Sequence, residues 1–431
     1  MQYLSDLANT IDYSEIIHLE SYAQQQIAKG KTVCDLIIGD FDTKQFPMPK
    51  YLTEQIQQAY TNNHNDYPPL EGVLPLRKQI AKLTQQTSLV SYDPDNEILI
   101  ASGARPLLYT AMLALVSAGE PVIYPVPSWN NMFYTDLCHG EHLPIETTAE
   151  NNFLPTAQQI SEHIKRARLI TLCSPQNPNG TMFTKDELIA ISELIVTENK
   201  RRESIGEKPV YLIYDQVYWL LTMQNSAHYL PSALCPDIKD YLIVVDAGSK
   251  AFAATGIRVG WAMGPKAIIA KMQVLLEHIG SMAPTAEQLA MSVLLEHNRY
   301  VQDYLSTFKR KIMTSIQVLH DGIQQMKQAG LPIDSVLPMA GIYISLKIDI
   351  LHMLLPSGQT FSNSDDISRF LIDAAGLAIV PFSSFGCTSA ESQSWFRAAV
   401  CAISPMDIQA ALPRLQAALL SLSCVPQRLE A

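Results

Sequence analysis

Short, continuous apolar runs recur along the first two thirds of the chain, with longer helix-like segments between them. The clearest runs are EILIAS, PVIYPV, RLITLC, VYLIYD, YLIVVD and IRVGWAM, which begin at Glu97, Pro121, Arg168, Val210, Tyr241 and Ile257. Uninterrupted hydrophobicity without alternation is typical of parallel strands that are covered on both faces. Segments with helical periodicity, such as 105–119 and 184–202, separate the runs. The pattern predicts an α/β fold with a large, doubly wound, mostly parallel sheet.

The pattern changes after about residue 295. Two long helical patterns follow, one of them over 299–330, and then come three strand-like runs, GIYISLKI, LAIVPF and WFRAAVCAI, and a final amphipathic helix from about Pro405 to Ser423. This order predicts a smaller α+β domain. We expect an N-terminal segment at 1–49 that packs with the small domain, a large domain at 50–294 and the small domain at 295–431. The polar stretch 355–366 is predicted to be a loop, and the charged stretch 197–209 a solvated helix end and loop.

Composition narrows the class of protein. The chain has 431 residues, of which 47% are hydrophobic, so it can bury large cores. Its formal charge of −11 without a basic block argues against a nucleic-acid partner. No apolar run approaches the roughly 20 residues that span a bilayer, and the N-terminus lacks the apolar core of a secretory signal. Seven cysteines without a C-x-x-C pair favour reduced thiols over disulfides or a metal site. We expect a cytoplasmic protein with no membrane partner and no metal.

Two of the predicted strands end in turns that suit a ligand. Ligands of open parallel sheets bind at the carboxyl ends of the strands. The turn SGARP at 102–106 follows the first run, and its small residues would let backbone N–H groups and a helix N-terminus approach an anion. The turn SPQNPNG at 174–180, which carries Asn177, follows another run and is rigid. Each turn alone is equally well explained as simple chain reversal.

Ionisable residues follow two further runs. Asp215 ends one of them, with Tyr218 three residues later, and a carboxylate there needs either a cation or a role as a helix cap. The stretch DAGSKAFAATGIRVG places Lys250 and Arg258 after the next run. Lysine is seldom buried unless it is paired or chemically engaged. Together the strand ends offer an anion cradle, an amide, a carboxylate, an amine and a guanidinium. Pyridoxal 5′-phosphate matches this set, since it has a phosphate, a ring that gains positive charge and an aldehyde that reacts with an amine.

The segment SKAFAATGIRVG resembles the lysine motif of the class I/II, fold-type I aminotransferases, whose lysine and phosphate-binding arginine are eight residues apart. The resemblance runs in the family's order from NDYPPLEGVLPLR to WFRAAVCAI and is nearest to the bacterial aspartate-aminotransferase-like branch. It implies a pyridoxal-phosphate-dependent aminotransferase. The catalytic residues that it implies are Lys250, Asp215 and Tyr218. Lys250 would hold the cofactor as a Schiff base and move the substrate proton. Asp215 would pair with the ring nitrogen, and Tyr218 would form a hydrogen bond with the ring oxygen.

The resemblance also implies a set of cofactor contacts. Asn177 would join Tyr218 at the ring oxygen, Trp129 would stack on the ring, and Arg258 would clamp the phosphate bidentately. The full set of cofactor-binding residues is Tyr67, Gly103, Ala104, Arg105, Trp129, Asn177, Asp215, Tyr218, Ser249, Lys250 and Arg258. Tyr67 would reach the phosphate of a neighbouring subunit, which implies a homodimer. The chain departs from the family where it has Ala247 in place of a hydroxyl residue, and Ser249 is expected to serve the phosphate instead.

The substrates implied by the resemblance are an amino acid and a 2-oxo acid. Arg397 would grip the substrate α-carboxylate together with the backbone near Gly39, although an internal ion pair also explains a buried arginine. Arg105 matches a lysine that reads a distal carboxylate in some relatives, which favours aspartate or glutamate, although an outward-pointing arginine explains it as well. The substrate-binding residues are therefore Gly39, Arg105, Trp129, Asn177 and Arg397. An aromatic or other neutral amino-acid aminotransferase, and a β-lyase or decarboxylase on the same fold, remain alternatives.

Overall fold

A computed structural model describes residues 3–11, 14–223 and 226–424 of the chain. The strands of this part of the chain are β1 (Cys34–Asp35), β2 (Ile98–Ser102), β3 (Pro121–Val126), β4 (Glu141–Glu146), β5 (Leu169–Cys173), β6 (Tyr211–Asp215), β7 (Leu242–Ala247), β8 (Val259–Met263), β9 (Ile333–Val336), β10 (Tyr343–Ile348), β11 (Met353–Leu354), β12 (Leu377–Ala378), β13 (Val380–Pro381), β14 (Trp395–Ala399) and β15 (Ser423–Cys424).

Helices alternate with these strands. They are α1 (Asp6–Thr10), α2 (Glu15–Ala28), α3 (Lys50–Thr61), α4 (Leu74–Ser88), α5 (Ala104–Leu115), α6 (Asn131–Leu137), α7 (Ala157–Ser161), α8 (Lys185–Ile205), α9 (Pro231–Leu234), α10 (Gly248–Ala251), α11 (Lys266–Ile279), α12 (Thr285–Glu296), α13 (Asn298–Gln328), α14 (Ser364–Phe370) and α15 (Pro405–Leu420). Within the described ranges, no helix combines the length and the hydrophobicity that a membrane crossing requires.

The large sheet has seven strands in the order β2-β8-β7-β6-β5-β3-β4. The pairs β7-β6, β6-β5, β5-β3 and β3-β4 are parallel, whereas β8 runs antiparallel to both of its neighbours. Each of the six apolar runs forms a strand of this sheet, so the predicted mostly parallel α/β fold is confirmed. The sequence analysis missed β4, because this edge strand has the polar sequence EHLPIE and is largely exposed.

Alternation along the central strands distributes side chains to two separate cores. Tyr214 and Val244 belong to one hydrophobic cluster, which α4, α8 and α12 complete. Ile213 and Val245 belong to the other cluster, which contains residues of α5 and α11. Both faces of the sheet are therefore covered by helices, as continuous apolar strands require. The same alternation decides which polar residues at the strand ends face the same side.

A smaller antiparallel sheet, in the order β13-β14-β10-β9, forms a second structural layer. A single helix, α13, spans 31 residues before it and packs against α15 and β9, where the sequence suggested two long helical patterns. The predicted run LAIVPF is divided between β12, which pairs with β1, and β13, which pairs with β14. The β1-β12 pairing joins the N-terminal segment to the C-terminal part of the chain. The domain bounds themselves stay a prediction.

The charged end of α8 corrects one expectation. The stretch 197–209 was expected to be solvated, yet Glu198 and Arg202 are both buried and form an ion pair of 2.7 Å. Arg202 also donates to the carbonyl oxygens of Ile164 and Lys208, at 2.8 and 2.9 Å. This end of the helix is therefore anchored to two neighbouring loops. The predicted polar loop at 355–366 does separate β11 from α14, although Phe361 within it is buried in the core.

Candidate active site

A cavity of about 720 Å³ lies at the carboxyl ends of β5, β6 and β7. The predicted site residues that line it are Gly39, Ala104, Arg105, Trp129, Asn177, Asp215, Tyr218, Ser249, Lys250, Arg258 and Arg397. Gly103 is not part of the lining, but it contacts the guanidinium of Arg258, which is. Tyr67 lies elsewhere, on the surface, with 89% of its side chain exposed. Residues that are far apart in sequence are thus brought to one cavity by the strand ends.

One wall of the cavity is built to receive an anion. Gly103 precedes α5 with a φ of +82°, a conformation that favours glycine. Arg258 Nη2 donates to the carbonyl oxygen of Ser102 at 2.9 Å, and Nη1 donates to that of Thr255 at 2.7 Å. A Cβ atom added at Gly103 would clash with the Arg258 guanidinium, and one added at Gly260 would clash with the Gly103 backbone. The helix N-terminus and the guanidinium therefore converge at a spacing that larger residues would prevent.

An amine and a carboxyl group face the cavity without an ionic partner. Lys250 stands on α10, directly after β7, and its Nζ donates to the carbonyl oxygen of Gly39 at 2.6 Å. Asp215 ends β6 and accepts a hydrogen bond of 3.0 Å from the backbone N–H of Val217. Burial raises the pKa of Asp215 to about 6. Neither residue forms an ion pair with any part of the chain that the structure describes. A ligand cation at Asp215 would relieve the cost of ionising this carboxyl group.

Arg397 supplies a buried positive charge to the lining of the cavity. It lies on β14, is 2% exposed, and donates to Asn177 Oδ1 at 3.1 Å and to the carbonyl oxygen of Ile37. Among the described residues its Nε has no hydrogen-bond partner, and burial lowers the pKa of the guanidinium. The rings of Tyr343 and Phe385 flank the guanidinium at 4.6 and 4.9 Å.

The competing explanation for Arg397 was an internal ion pair. Among the described residues no carboxylate lies within 4.0 Å of this guanidinium. A buried cation that borders a cavity and lacks an internal anion is suited to bind a carboxylate from solution. The geometry therefore favours the ligand-binding interpretation of Arg397.

Arg105 and Trp129 stack on one another at the mouth of the cavity. The guanidinium carbon of Arg105 lies 4.3 Å from the centre of the Trp129 ring, and the arginine is exposed. In a dry pocket, Arg105 would lack a partner unless an acidic substrate bound there. The structure modifies that argument, because the ring of Trp129 already provides a cation–π partner.

The sequence analysis missed Tyr343, whose hydroxyl lies 3.0 Å from that of Tyr218. It also missed the N-terminal residues Ile16 and Ile17, which line the same cavity together with Ile38. Tyr343 stands in a run that was recognised as a strand, but its contact with the site depends on how β10 pairs with β14. No sequence signal reports that register directly. Within the described ranges, no group of three or more His, Cys, Asp or Glu residues could hold a metal ion.

The residues fit the cofactor that the sequence suggested. The cradle at Gly103 has room for an anion close to the backbone, Asp215 is a half-buried carboxyl group with no cation partner among the described residues, and Lys250 is an amine on the same cavity lining. These features correspond to the phosphate, the ring nitrogen and the aldehyde of pyridoxal phosphate.

Comparison with known proteins agrees with this geometry. A sequence model of the family "Aminotransferase class I and II" matches residues 31–415. An aspartate aminotransferase of Rhizobium meliloti is 28% identical over 422 residues, which cover 96% of this chain and 96% of the relative. An aspartate aminotransferase of Bacillus sp. (strain YM-2) is 27% identical over 394 residues, which cover 90% and 93%.

A crystal structure of the aspartate aminotransferase from Rhizobium meliloti superposes with a TM-score of 0.88 at 27% identity, covering 97% of this chain and 99% of that one. The Thermus thermophilus aspartate aminotransferase with maleate, at 22% identity and a TM-score of 0.84, shares the fold over 97% of this chain and 100% of that one. With a family match over most of its length, the chain belongs to the class I and II aminotransferases, and it is an enzyme, a transaminase.

Proposed function

We propose that this transaminase uses pyridoxal 5′-phosphate and moves an amino group between an acidic amino acid, aspartate or glutamate, and a 2-oxo acid. The observation that carries the proposal is the convergence on one cavity of the Lys250 amine, the unpaired Asp215 carboxyl group and the anion cradle at Gly103. The cofactor would supply an aldehyde for the amino group and a ring that withdraws electrons from the substrate Cα.

The chain's own residues would then transfer the proton and bind the ring and the phosphate of the cofactor. Lys250 Nζ is the amine expected to bond the cofactor and, when released, to hold the proton that leaves the substrate Cα. Asp215 would keep a proton on the ring nitrogen, and Tyr218 and Asn177 would donate to the ring oxygen. The phosphate would bind Arg258, Ser249 and the backbone N–H groups of Gly103, Ala104 and Arg105, while Trp129 would stack on the ring.

The acidic donor is supported by two cations on the cavity wall. Arg397 would bind the α-carboxylate with help from the Gly39 backbone, and Arg105 would bind a distal carboxylate. Relatives named aspartate aminotransferase match over 90% or more of the chain. A neutral or aromatic donor is the second candidate. It is favoured by the Arg105–Trp129 stack, which gives the arginine a partner without substrate, and by the isoleucines of the N-terminal segment.

We infer further that the protein works as a homodimer in which Tyr67 reaches the phosphate of the neighbouring site. The exposure of this large aromatic side chain in the single chain supports the inference. Sedimentation equilibrium should give about twice the 47.9 kDa of one chain, and a monomer mass would exclude the shared site. The six cysteines whose side chains the structure describes are free thiols, which supports a reducing compartment such as the cytoplasm; cell fractionation would test this location.

An absorption spectrum of the purified protein tests the proposed function. We expect a visible band that stays with the protein after pyridoxal phosphate has been added and the unbound cofactor removed, and we expect aspartate to move this band into the ultraviolet as the cofactor accepts the amino group. A Lys250→Ala variant provides the control, since it should lack the covalent band. A response to alanine or phenylalanine but not to aspartate would discard the acidic donor. A wild-type protein with no band after addition of the cofactor would contradict the proposal.

A further inference from the structure

Tyr343 contacts several residues of the site at once, although no role has yet been given to it. It begins β10 and is 2% exposed. Its hydroxyl lies 3.0 Å from the Tyr218 hydroxyl, and its ring lies 4.6 Å from the guanidinium carbon of Arg397. A Cβ atom at Gly39 would clash with the Tyr343 hydroxyl, so this hydroxyl also touches the backbone that accepts the Lys250 hydrogen bond.

The hydrogen bond between the hydroxyls of Tyr218 and Tyr343 can run in either of two directions. Each phenol has one O–H, so only one of the two can donate to the other. If Tyr218 donates to Tyr343, its proton is used inside the protein and cannot be offered to the cavity. If Tyr343 donates to Tyr218, the Tyr218 proton is free to bond a ligand atom in the cavity.

Arg397 favours the second direction. Its guanidinium lies against the ring of Tyr343, where a positive charge draws electrons from the ring and makes the hydroxyl a better donor. The ring of Tyr218, by contrast, meets Tyr343 edge to face, with ring centroids 5.6 Å apart and planes at 69°. The charge of Arg397 also acts on Tyr218, but less strongly than on Tyr343, and the remaining titratable groups that act on Tyr218, Asp215 and Cys173, are not cations.

We propose that Tyr343 is a positioning residue that donates to the Tyr218 hydroxyl, aims the Tyr218 proton into the cavity, and links the carboxylate-binding Arg397 to the ring-oxygen contact. The proposal rests on the proposed function, because it assumes that Tyr218 bonds the cofactor's ring oxygen. It goes beyond that function because it gives a role to the hydroxyl of Tyr343. This residue would connect Arg397, which is proposed to bind the substrate carboxylate, to Tyr218, which is proposed to bind the cofactor.

The test is a pH titration of the visible absorption of the loaded protein without substrate, so that activity is not the readout. A donor to the ring oxygen stabilises the form of the chromophore that has lost its proton. Tyr343→Phe keeps the ring over Arg397 and removes only the hydroxyl. We expect the midpoint of the titration to rise by about half a pH unit to one unit, as for loss of one neutral hydrogen bond.

A double-variant cycle separates positioning from a general structural effect. Tyr218→Phe should raise the midpoint further than Tyr343→Phe, and adding Tyr343→Phe to it should change nothing more, because the proposed action passes through Tyr218. A second route to the same defect is Gly39→Ala, which displaces the Tyr343 hydroxyl. An unchanged midpoint in Tyr343→Phe, or an equal rise in the Tyr218→Phe background, would overturn the proposal.

A control on the other face of Arg397 separates the hydroxyl from arginine packing. Phe385→Leu alters the stack on Arg397 and leaves both phenol hydroxyls in the protein. It should raise KM for the amino acid while the titration midpoint stays at the wild-type value; a midpoint that moves as in Tyr343→Phe would overturn the assignment to the hydroxyl. Failure of the proposed function itself would look different, because the wild-type protein would then show no visible band to titrate.

Discussion

At the scale of single residues, the amino donor depends most on Arg105. Its backbone stands at the start of α5, in the anion cradle, whereas its guanidinium extends to the face of Trp129 at the cavity mouth. These two parts serve different proposed contacts, the phosphate and the distal carboxylate. A side-chain substitution therefore changes one contact and leaves the other in place.

Replacing Arg105 with alanine should raise KM for aspartate by about 10- to 100-fold, the range expected for loss of a charge-assisted hydrogen bond. KM for alanine should change little, because alanine has no distal carboxylate. Steady-state kinetics with both donors measure the ratio, and Arg105→Lys, which keeps the charge, should retain part of the preference. Equal effects on aspartate and alanine would show that Arg105 does not select the donor.

At the scale of elements, the strands of the large sheet could be predicted because each buried strand is a continuous apolar run. Strand β4 could not, since an exposed edge strand carries no such run. Eleven residues of the cavity lining could be predicted because they stand directly after strands or in a recognisable motif. Tyr343 was missed because its role depends on the pairing of β10 with β14, where Ser345 lies opposite Arg397. Sequence shows which segments are strands, but it does not show which distant side chains their pairing brings together.

The C-terminal end of α8 illustrates the same limit. Charged residues are usually solvated, so Glu198 and Arg202 gave no sign that they are buried. Arg201, one position earlier, also binds Glu198, at 2.7 Å, but its side chain is 39% exposed, against 7% for Arg202. Within little more than one helical turn, Glu198 therefore binds one buried and one partly exposed arginine, and the packing of α8 on the loops at 164 and 208 distinguishes the two.

This difference predicts unequal stabilities. Arg202→Ala would leave Glu198 buried with less compensation and would remove the hydrogen bonds to two loops, so the free energy of unfolding should fall by about 3 kcal/mol. Arg201→Ala is the matched control on the same helix, because it also removes a partner of Glu198 but removes no hydrogen bond to the carbonyl oxygens of the two loops, so its effect should be smaller. Urea unfolding followed by circular dichroism compares the two midpoints. Equal losses of unfolding free energy in the two variants would mean that the hydrogen bonds from Arg202 to the loops add no stability.

At the scale of the whole molecule, the large sheet separates two carboxyl groups that lie on neighbouring strands. Asp215 and Asp246 end neighbouring strands, but alternation places Asp215 on the face of the active-site cavity and Asp246 on the opposite face. Asp246 is 2% exposed and borders a second cavity of about 230 Å³. It accepts hydrogen bonds of 2.7 Å from Trp219 Nε1 and from the backbone N–H of Ala247. Within the described ranges, no cation pairs with it.

The burial of Asp246 predicts how stability depends on pH. Burial raises its pKa from 3.8 in the unfolded chain to about 8 in the folded one. Between these values the unfolded chain loses the proton that the folded chain keeps, so the stability contributed by the neutral form declines as pH rises and is lost through pH 8. Asp246→Asn removes this titration. The variant's free energy of unfolding, relative to wild type, should therefore increase from pH 5 to pH 8 and then stay level.

Asp334→Asn is the control for this titration, because Lys327 and Gln324 hold the pKa of Asp334 below 3.8 against the effect of its partial burial. A carboxyl group of that kind has finished titrating in both states by pH 5, so its variant should differ from wild type by a constant amount between pH 5 and 8. Urea unfolding at closely spaced pH values measures both differences. A difference for Asp246→Asn that is as flat as the control would mean that Asp246 is ionised in the folded protein. The hydrogen bonds from Trp219 and Ala247 would then outweigh the cost of burying the charge.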